Sequence, residues 1–236
     1  MKIVALSDIH GSLLEDNIEL CDVVCICGDI VPLDIQRNIL KSISWFLLDF
    51  KPWAESLPCH KVIFIAGNHD FFLDELGPKR FNSANKVLNN LLGEHKKDSK
   101  LVYLCDSSYD YKGIRFYGTP WCPNLKNWAF YKTSEELTDI FKNIPNKCDV
   151  LLTHCPPKIG LYGTVLQNDI FNFKEDYGCI ELANAIKQKS IKNWLCGHIH
   201  SGLHMLSSND DNIDIMNVSI KDENYQDTYI PYIFEI

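Results

Sequence analysis

Five short polar motifs, each directly after an apolar run, constrain this chain more than any other feature. They read Asp8-Ile9-His10, Gly28-Asp29, Gly67-Asn68-His69-Asp70, Thr153-His154 and Gly197-His198-Ile199-His200. Five of the eight histidines fall inside them, so the imidazoles are concentrated where the strands end. Polar groups beside buried strands are costly unless they are paired or bind something. Carboxylate, amide and imidazole donors together suit divalent metals of borderline hardness. Strand ends let segments far apart in sequence converge on one rim.

The apolar runs agree with that geometry. Residues 2–6, 22–27 and 60–66 read as strands. Between them, Ile35, Ile39, Ile43, Phe46, Leu47 and Phe50 recur at helical spacing, predicting a helix over 34–53. Asp34 would cap it and Pro52 would lie near its end. This order predicts a sheet with parallel strands and covering helices. Ligands bind such sheets outside the carboxyl ends of the strands, where Asp8, Asp29 and Asn68 fall. A second helix is expected over 79–92 with Pro78 at its first turn, and a charged loop over 94–100. Strands are expected at 101–104 and 114–118, and a helix at 134–141 with a capping box from Thr133 or Ser134 to Glu136. Residues 149–152 lead into His154, 179–189 form an amphipathic helix, and 194–196 lead into the last motif. The tail, 213–236, alternates like antiparallel strands.

At 236 residues the chain suits one domain, 1–236, with a large core. The formal net charge of −8 disfavours a nucleic-acid or anionic-membrane surface, because phosphate backbones are bound mainly through Lys and Arg. It does not exclude phosphate substrates, since bound cations reverse the local sign. One Lys before a short apolar run, with Asp8 following at once, does not read as a secretory leader. The apolar stretch 45–50 is too short to span a bilayer. The ten cysteines include no CxxC pair, and Cys25 and Cys27 alternate along a strand. They read as small buried hydrophobes in a reducing compartment, which predicts a cytoplasmic location.

Singly the motifs are weak. Asp-x-His and Gly-Asp are ordinary turn chemistry, and His-x-His only places two rings on one strand face. Together and in this order they resemble the calcineurin-like metallophosphoesterases, over essentially the whole chain. Within that superfamily the chain looks like the small MPPED-type phosphoesterases. Further matching stretches are Gly118-Thr119-Pro120, Asn127-Trp128-Ala129-Phe130, Cys155-Pro156-Pro157, Gly178-Cys179 with Glu181-Leu182, Ser201-Gly202, and Asn217-Val218-Ser219 followed by Tyr225. Core packing and turns account for these equally well, so they carry kinship rather than chemistry.

The resemblance implies an α/β, four-layer α-β-β-α sandwich of mixed sheets, with the site at strand C-terminal ends. It implies a dinuclear centre of Mn, Fe, Zn or Ni ions. Asp8, His10, Asp29 and His200 would hold the first ion, and Asp29, Asn68, His154 and His198 the second, with Asp29 bridging. His69 would be catalytic, protonating the leaving oxygen or holding the phosphoryl group, with Asp70 as its orienting carboxylate. The implied reaction is hydrolysis of a phosphodiester or small phosphomonoester by metal-bound hydroxide. A nuclease of the same superfamily and a catalytically weak scaffold are the alternatives. Nothing in the chain indicates an oligomeric state. Position 70 is Asp where the MPPED-type branch often has Glu, and His204 stands near a place where that branch tends to have Gly. No motif contains an Arg (the three are Arg37, Arg80 and Arg115), so an Arg phosphate clamp and phosphoprotein substrates are disfavoured. No basic, aromatic-interleaved stretch offers a track for a nucleic-acid polymer.

Overall fold

A computed structural model describes residues 1–14, 18–77, 99–165, 175–208 and 213–236. Numbering strands in chain order, β1 (Lys2–Leu6), β2 (Val23–Cys27), β3 (Lys61–Ile65) and β4 (Leu101–Tyr103) are successive parallel neighbours. β11 (Tyr232–Glu235) closes this sheet antiparallel to β1. The second sheet contains β5 (Ser107–Tyr111), β6 (Ile114–Thr119), β7 (Lys147–Thr153), β8 (Ser190–Cys196), β10 (Asp214–Asn217) and β9 (Ser207–Ser208), in that spatial order. Its centre, β6 to β10, is parallel, and β5 and β9 run antiparallel on the edges.

Successive strand residues face opposite sides, and the runs in β1, β2 and β3 are apolar on both. One set, including Ile3, Ala5, Val23, Cys25, Ile63 and Ile65, meets Phe116, Val150, Leu152 and Leu195 from the other sheet. The opposite faces meet helices. Helix α1 (Ile39–Trp45), a π turn (Phe46–Phe50), α2 (Lys51–Ser56) and α3 (Phe71–Leu76) cover the first sheet, with Phe46 and Phe50 on Phe64. On the second sheet, Leu137 and Phe141 of α4 (Ser134–Phe141) and Leu182 and Ile186 of α5 (Ile180–Ile186) join the cluster that holds Leu151 and Trp194. Unbroken apolar runs are what a parallel sheet covered on both faces requires. The result is the expected four-layer α/β sandwich.

Three local expectations change. The helix expected over 34–53 starts at Ile39, because Asn38 is extended and its side chain accepts the Lys41 N–H at 3.1 Å. Pro52 lies inside a continuous helical segment rather than at its end. A proline cannot donate and crowds the carbonyl four residues back; the turn before it widens, with the Lys51 N–H reaching Phe46 O. In the tail β11 is antiparallel, but β10 runs parallel to β8. Alternation is the same in both directions, so it could not report strand polarity. β5 escaped the sequence reading because Ser-Ser-Tyr-Asp-Tyr is hardly apolar. Its hairpin was legible in Lys112-Gly113, both at positive φ (+48° and +83°), as a two-residue type I′ turn demands. The helix expected over 79–92, and nearly all of the loop after it, lie outside the described residues. Among the described residues no helix is long and apolar enough to cross a membrane.

The capping box of α4 is present: the Thr133 side chain accepts the Glu136 N–H, and Glu136 accepts the Thr133 N–H at 2.9 Å. Thr133→Ala should cost about 1 kcal/mol in urea unfolding. Turnover should be unchanged, because α4 lies on the outer face of the second sheet.

Candidate metal centre

All five motifs follow parallel strands, so they share one rim. Asp8 follows β1, Asp29 follows β2, Asn68 and His69 follow β3, His154 follows β7, and His198 and His200 follow β8. Asp8 and His154 are wholly buried, and Asp29, Asn68, His10, His69 and His200 nearly so. Asp8, His10, Asp29 and His198 have φ between +42° and +69°. That left-handed region is costly for residues with a Cβ and persists only where the surroundings enforce it. The glycines beside them answer to space: a Cβ on Gly67 would lie 2.2 Å from Asp29 Oδ1, and one on Gly197 would lie 2.4 Å from Asp8 Oδ2.

The two carboxylates organise the imidazoles. Asp29 Oδ1 accepts the His69 backbone N–H at 2.8 Å. Its Oδ2 faces His154 Nε2 at 3.3 Å and both His10 Nε2 and His69 Nε2 at 3.8 Å. Asp8 accepts the His198 N–H at 3.0 Å and faces His200 Nε2 at 3.4 Å. His154 Nε2 also lies 3.0 Å from Asn68 Oδ1. The far nitrogens are held from behind, His154 Nδ1 by Cys27 O at 2.8 Å and His200 Nδ1 by Asp222 O at 2.9 Å. Such backing fixes the tautomer and leaves Nε2 for a ligand.

Ligand atoms of Asp8, His10 and His200 lie within 4.8 Å of one another, as do those of Asp8, Asp29 and His154, and of His10, Asp29 and His69. The His198 ring joins through His154, at 5.0 Å between centroids. All seven expected donors are thus brought together. A further such group was not foreseen: Cys122 with His154 and His198.

Protonation divides the donors into two kinds. Burial pulls His10 down to about 4 and His198 to about 3, so both are neutral imidazoles at pH 7. Burial also opposes charge on His154, but Asp29 outweighs it and pushes the group up to about 10. His200 rises to about 9 against burial through its hydrogen bond to Asp8. Burial raises Asp29, yet the charges of His154 and His69 hold it well below the carboxylate range. Among the described residues neither ring nitrogen of His10 has a hydrogen-bond partner, nor does His69 Nδ1. Orphaned buried imidazole nitrogens beside two buried carboxylates suit divalent cations, and on this evidence the residues fit such ions.

His69 sits at the rim, its ring 4.7 Å from that of His10 and 4.5 Å from that of Trp128. Trp128, which served kinship and packing in the sequence, is therefore a wall of the site, and the Arg37 guanidinium lies 4.9 Å from the Trp128 ring. Asp70 has a different job from the orienting one expected. Its carboxylate accepts the N–H groups of Ile30, Val31 and Gly67 at 2.7–3.1 Å, tying the β2 and β3 loops together. Burial, with Asp29 nearby, raises it to about 7. His204 is structural: its Nε2 lies 2.7 Å from His200 O and its ring stacks on Tyr229 at 3.7 Å. Tyr225, at φ +59°, places its ring 5.1 Å from both His10 and His200. The cleft over these groups holds about 200 Å³ and is lined by Asp29, Asn68, His69, Tyr177, His198 and Tyr225, among others. A larger groove of about 760 Å³ runs between α4 and α5, but it includes none of the donor groups above.

Residues 1–202 match the family model of the calcineurin-like phosphoesterases. The chain belongs to that family, and it is a metal-dependent hydrolase of phosphoester bonds. Its relatives include human metallophosphoesterase domain-containing protein 1, 26% identical over 100% of this chain and 71% of that one. A UPF0046 protein of Caenorhabditis elegans is 29% identical over 100% of this chain and 81% of its own. The MPPED-type resemblance is thereby borne out. Among solved structures, phosphopantetheinyl hydrolase from Mycobacterium tuberculosis aligns at a TM-score of 0.54 and 15% identity, covering 95% of this chain and 90% of that one. That likeness speaks for the fold alone.

The raised pKa values of His154 and His200 carry a sign. Both hold a proton at pH 7 that a cation must displace. Calorimetric titration with Mn²⁺ or Zn²⁺, in buffers of different ionisation enthalpy, should show protons released at pH 7. Affinity should weaken as the pH is lowered. Binding with no proton release would exclude displacement at these two rings.

Proposed function

We propose that this chain is a dinuclear hydrolase of small phosphoesters, with Asp29 bridging two cations. Asp8, His10, Asp29 and His200 would hold one ion, and Asp29, Asn68, His154 and His198 the other. One observation carries this reading: a single oxygen, Asp29 Oδ2, faces His10 and His154, each from a different donor set. Two such cations supply a water nucleophile of lowered pKa and neutralise the phosphoryl charge.

The chain's own residues do the rest. His200 and His154, pinned at Nδ1, keep the rim rigid. Burial lowers the pKa of His69, so its ring carries one N–H at neutral pH. That N–H can donate to a phosphoryl oxygen, and a substrate anion beside it would favour the protonated ring that a leaving oxygen needs. Trp128 covers His69 on one side and limits water there. A cleft of about 200 Å³ on a chain of net charge −8 supports a small substrate over a polyanion. All the donors and His69 are present, which supports an enzyme over a scaffold. The ten cysteines are free thiols, which supports a reducing, cytoplasmic setting.

Metal analysis with a substrate panel tests the reading. Two equivalents of metal should bind, and bis-p-nitrophenyl phosphate or a cyclic nucleotide should be cut faster than single-stranded DNA under the same conditions. Asp29→Asn should lower metal content and turnover together. Near-normal turnover with two ions bound would remove Asp29 as the bridge. Efficient cutting of long DNA, lost steeply as salt rises, would favour the nuclease.

His69→Ala should retain metal and slow turnover by roughly 10²–10⁴-fold, the usual scale of general acid–base catalysis. The loss should shrink for p-nitrophenolate, a good leaving group. An equal loss across poor and good leaving groups would assign His69 to holding the phosphoryl group instead.

A further inference from the structure

We propose that Cys122 is a thiolate donor to the cation shared by His154 and His198, giving that ion one soft ligand. This rests on the dinuclear reading above and goes beyond its ligand set. Cys122 Sγ, a His154 nitrogen and a His198 nitrogen lie within 4.8 Å of one another. Zinc sits about 2.3 Å from sulfur and about 2.0–2.1 Å from imidazole nitrogen, so the three side chains would close on one ion by small rotations. Of the ten cysteines, Cys122 alone belongs to such a group among the described residues.

Its position is held by backbone. Cys122 lies just past β6, its N–H donates to Phe130 O at 2.9 Å, and its carbonyl accepts the Lys132 N–H at 3.3 Å. The same loop donates the Ala129 N–H to Asn68 O at 3.1 Å, so it is anchored on another proposed ligand. The side chain is wholly buried, and among the described residues its thiol meets Pro120 O at a long 3.7 Å and the Cys155 thiol. A small packing residue would satisfy the burial. It would not explain why the sulfur lies within 4.8 Å of a ring nitrogen of each of two imidazoles, one at the end of β7 and one at the end of β8.

The chemistry is a proton-for-metal exchange without redox change. The Sγ–metal bond forms, the S–H bond breaks and the proton goes to solvent; a coordinating thiol is deprotonated outright. A soft donor shifts preference towards zinc and away from manganese, which oxygen ligands suit better.

X-ray absorption of the zinc-loaded full chain tests this directly. A sulfur shell at about 2.3 Å, beside nitrogen and oxygen at about 2.0–2.2 Å, is expected. Cys122→Ser should remove the sulfur shell and keep the lighter one, while Cys155→Ser should leave both. Zinc affinity of Cys122→Ser should fall roughly 10–100-fold, the range seen when a supporting group is removed from a metal site. Manganese affinity should change much less. The wild-type spectrum decides even where a variant does not fold. Zinc bound with no sulfur shell would overturn the Cys122 assignment and leave the dinuclear reading intact. A sulfur shell lost in Cys155→Ser but kept in Cys122→Ser would move the donor to Cys155 and overturn it as well. Failure to bind any zinc or manganese would overturn both readings.

Discussion

Three carboxylates buried side by side, Asp8, Asp29 and Asp70, are the constraint from which the architecture around the site follows. Like charges in a poorly solvated rim repel and cannot remain without partners. Each takes backbone N–H groups from a neighbouring strand's loop: Asp8 from His198, Asp29 from His69, Asp70 from Ile30, Val31 and Gly67. The acid from one strand thereby stitches down the next, and the Asp8 contact joins the two sheets. Parallel strands make this possible, because only shared polarity puts every loop at one end. The glycines in the motifs follow from the same crowding.

Much of this was readable in sequence. The motifs announced themselves because polar clusters interrupt apolar runs at a repeated structural position. The runs in β1, β2 and β3 lack alternation, and that points to sheets covered on both sides. What escaped depended on geometry that pattern does not encode. The direction of β10 is invisible to period two. The π turn before Pro52 looks like unbroken helix in a hydrophobic pattern. Asp70 sits next to His69 in sequence, which suggested a pair, but the chain turns there and sends its carboxylate to the β2 loop instead. Cys122 lies 32 residues before His154 and 76 before His198. No local spacing could have linked them, and a cysteine after a strand reads as filler.

Electrostatics and location also separate. The formal charge of −8 describes the chain as a whole, whereas a substrate meets a rim whose sign depends on what the carboxylates hold. On the proposed reading, attraction confined to a few ångströms would select ligands small enough to bring their phosphorus into the cleft. A long polyanion has most of its charge outside that range. The acidic composition and the concentrated donor set are therefore compatible.

His10 shows what maintaining such a centre asks of a fold. Its backbone is left-handed, at φ +42°, and both ring nitrogens lack partners among the described residues. Unlike Asp8, Asp29 and Asp70, its side chain accepts no backbone N–H that would offset these costs. Random drift would find many replacements that make the folded chain easier to keep, with glycine or asparagine suited to that dihedral. Under selection for stability alone this histidine should be among the first of the seven to disappear. A lineage that had given up chemistry and kept the sandwich as a binding platform would be expected to show its loss early. Its presence here is what a chain that still binds cations requires.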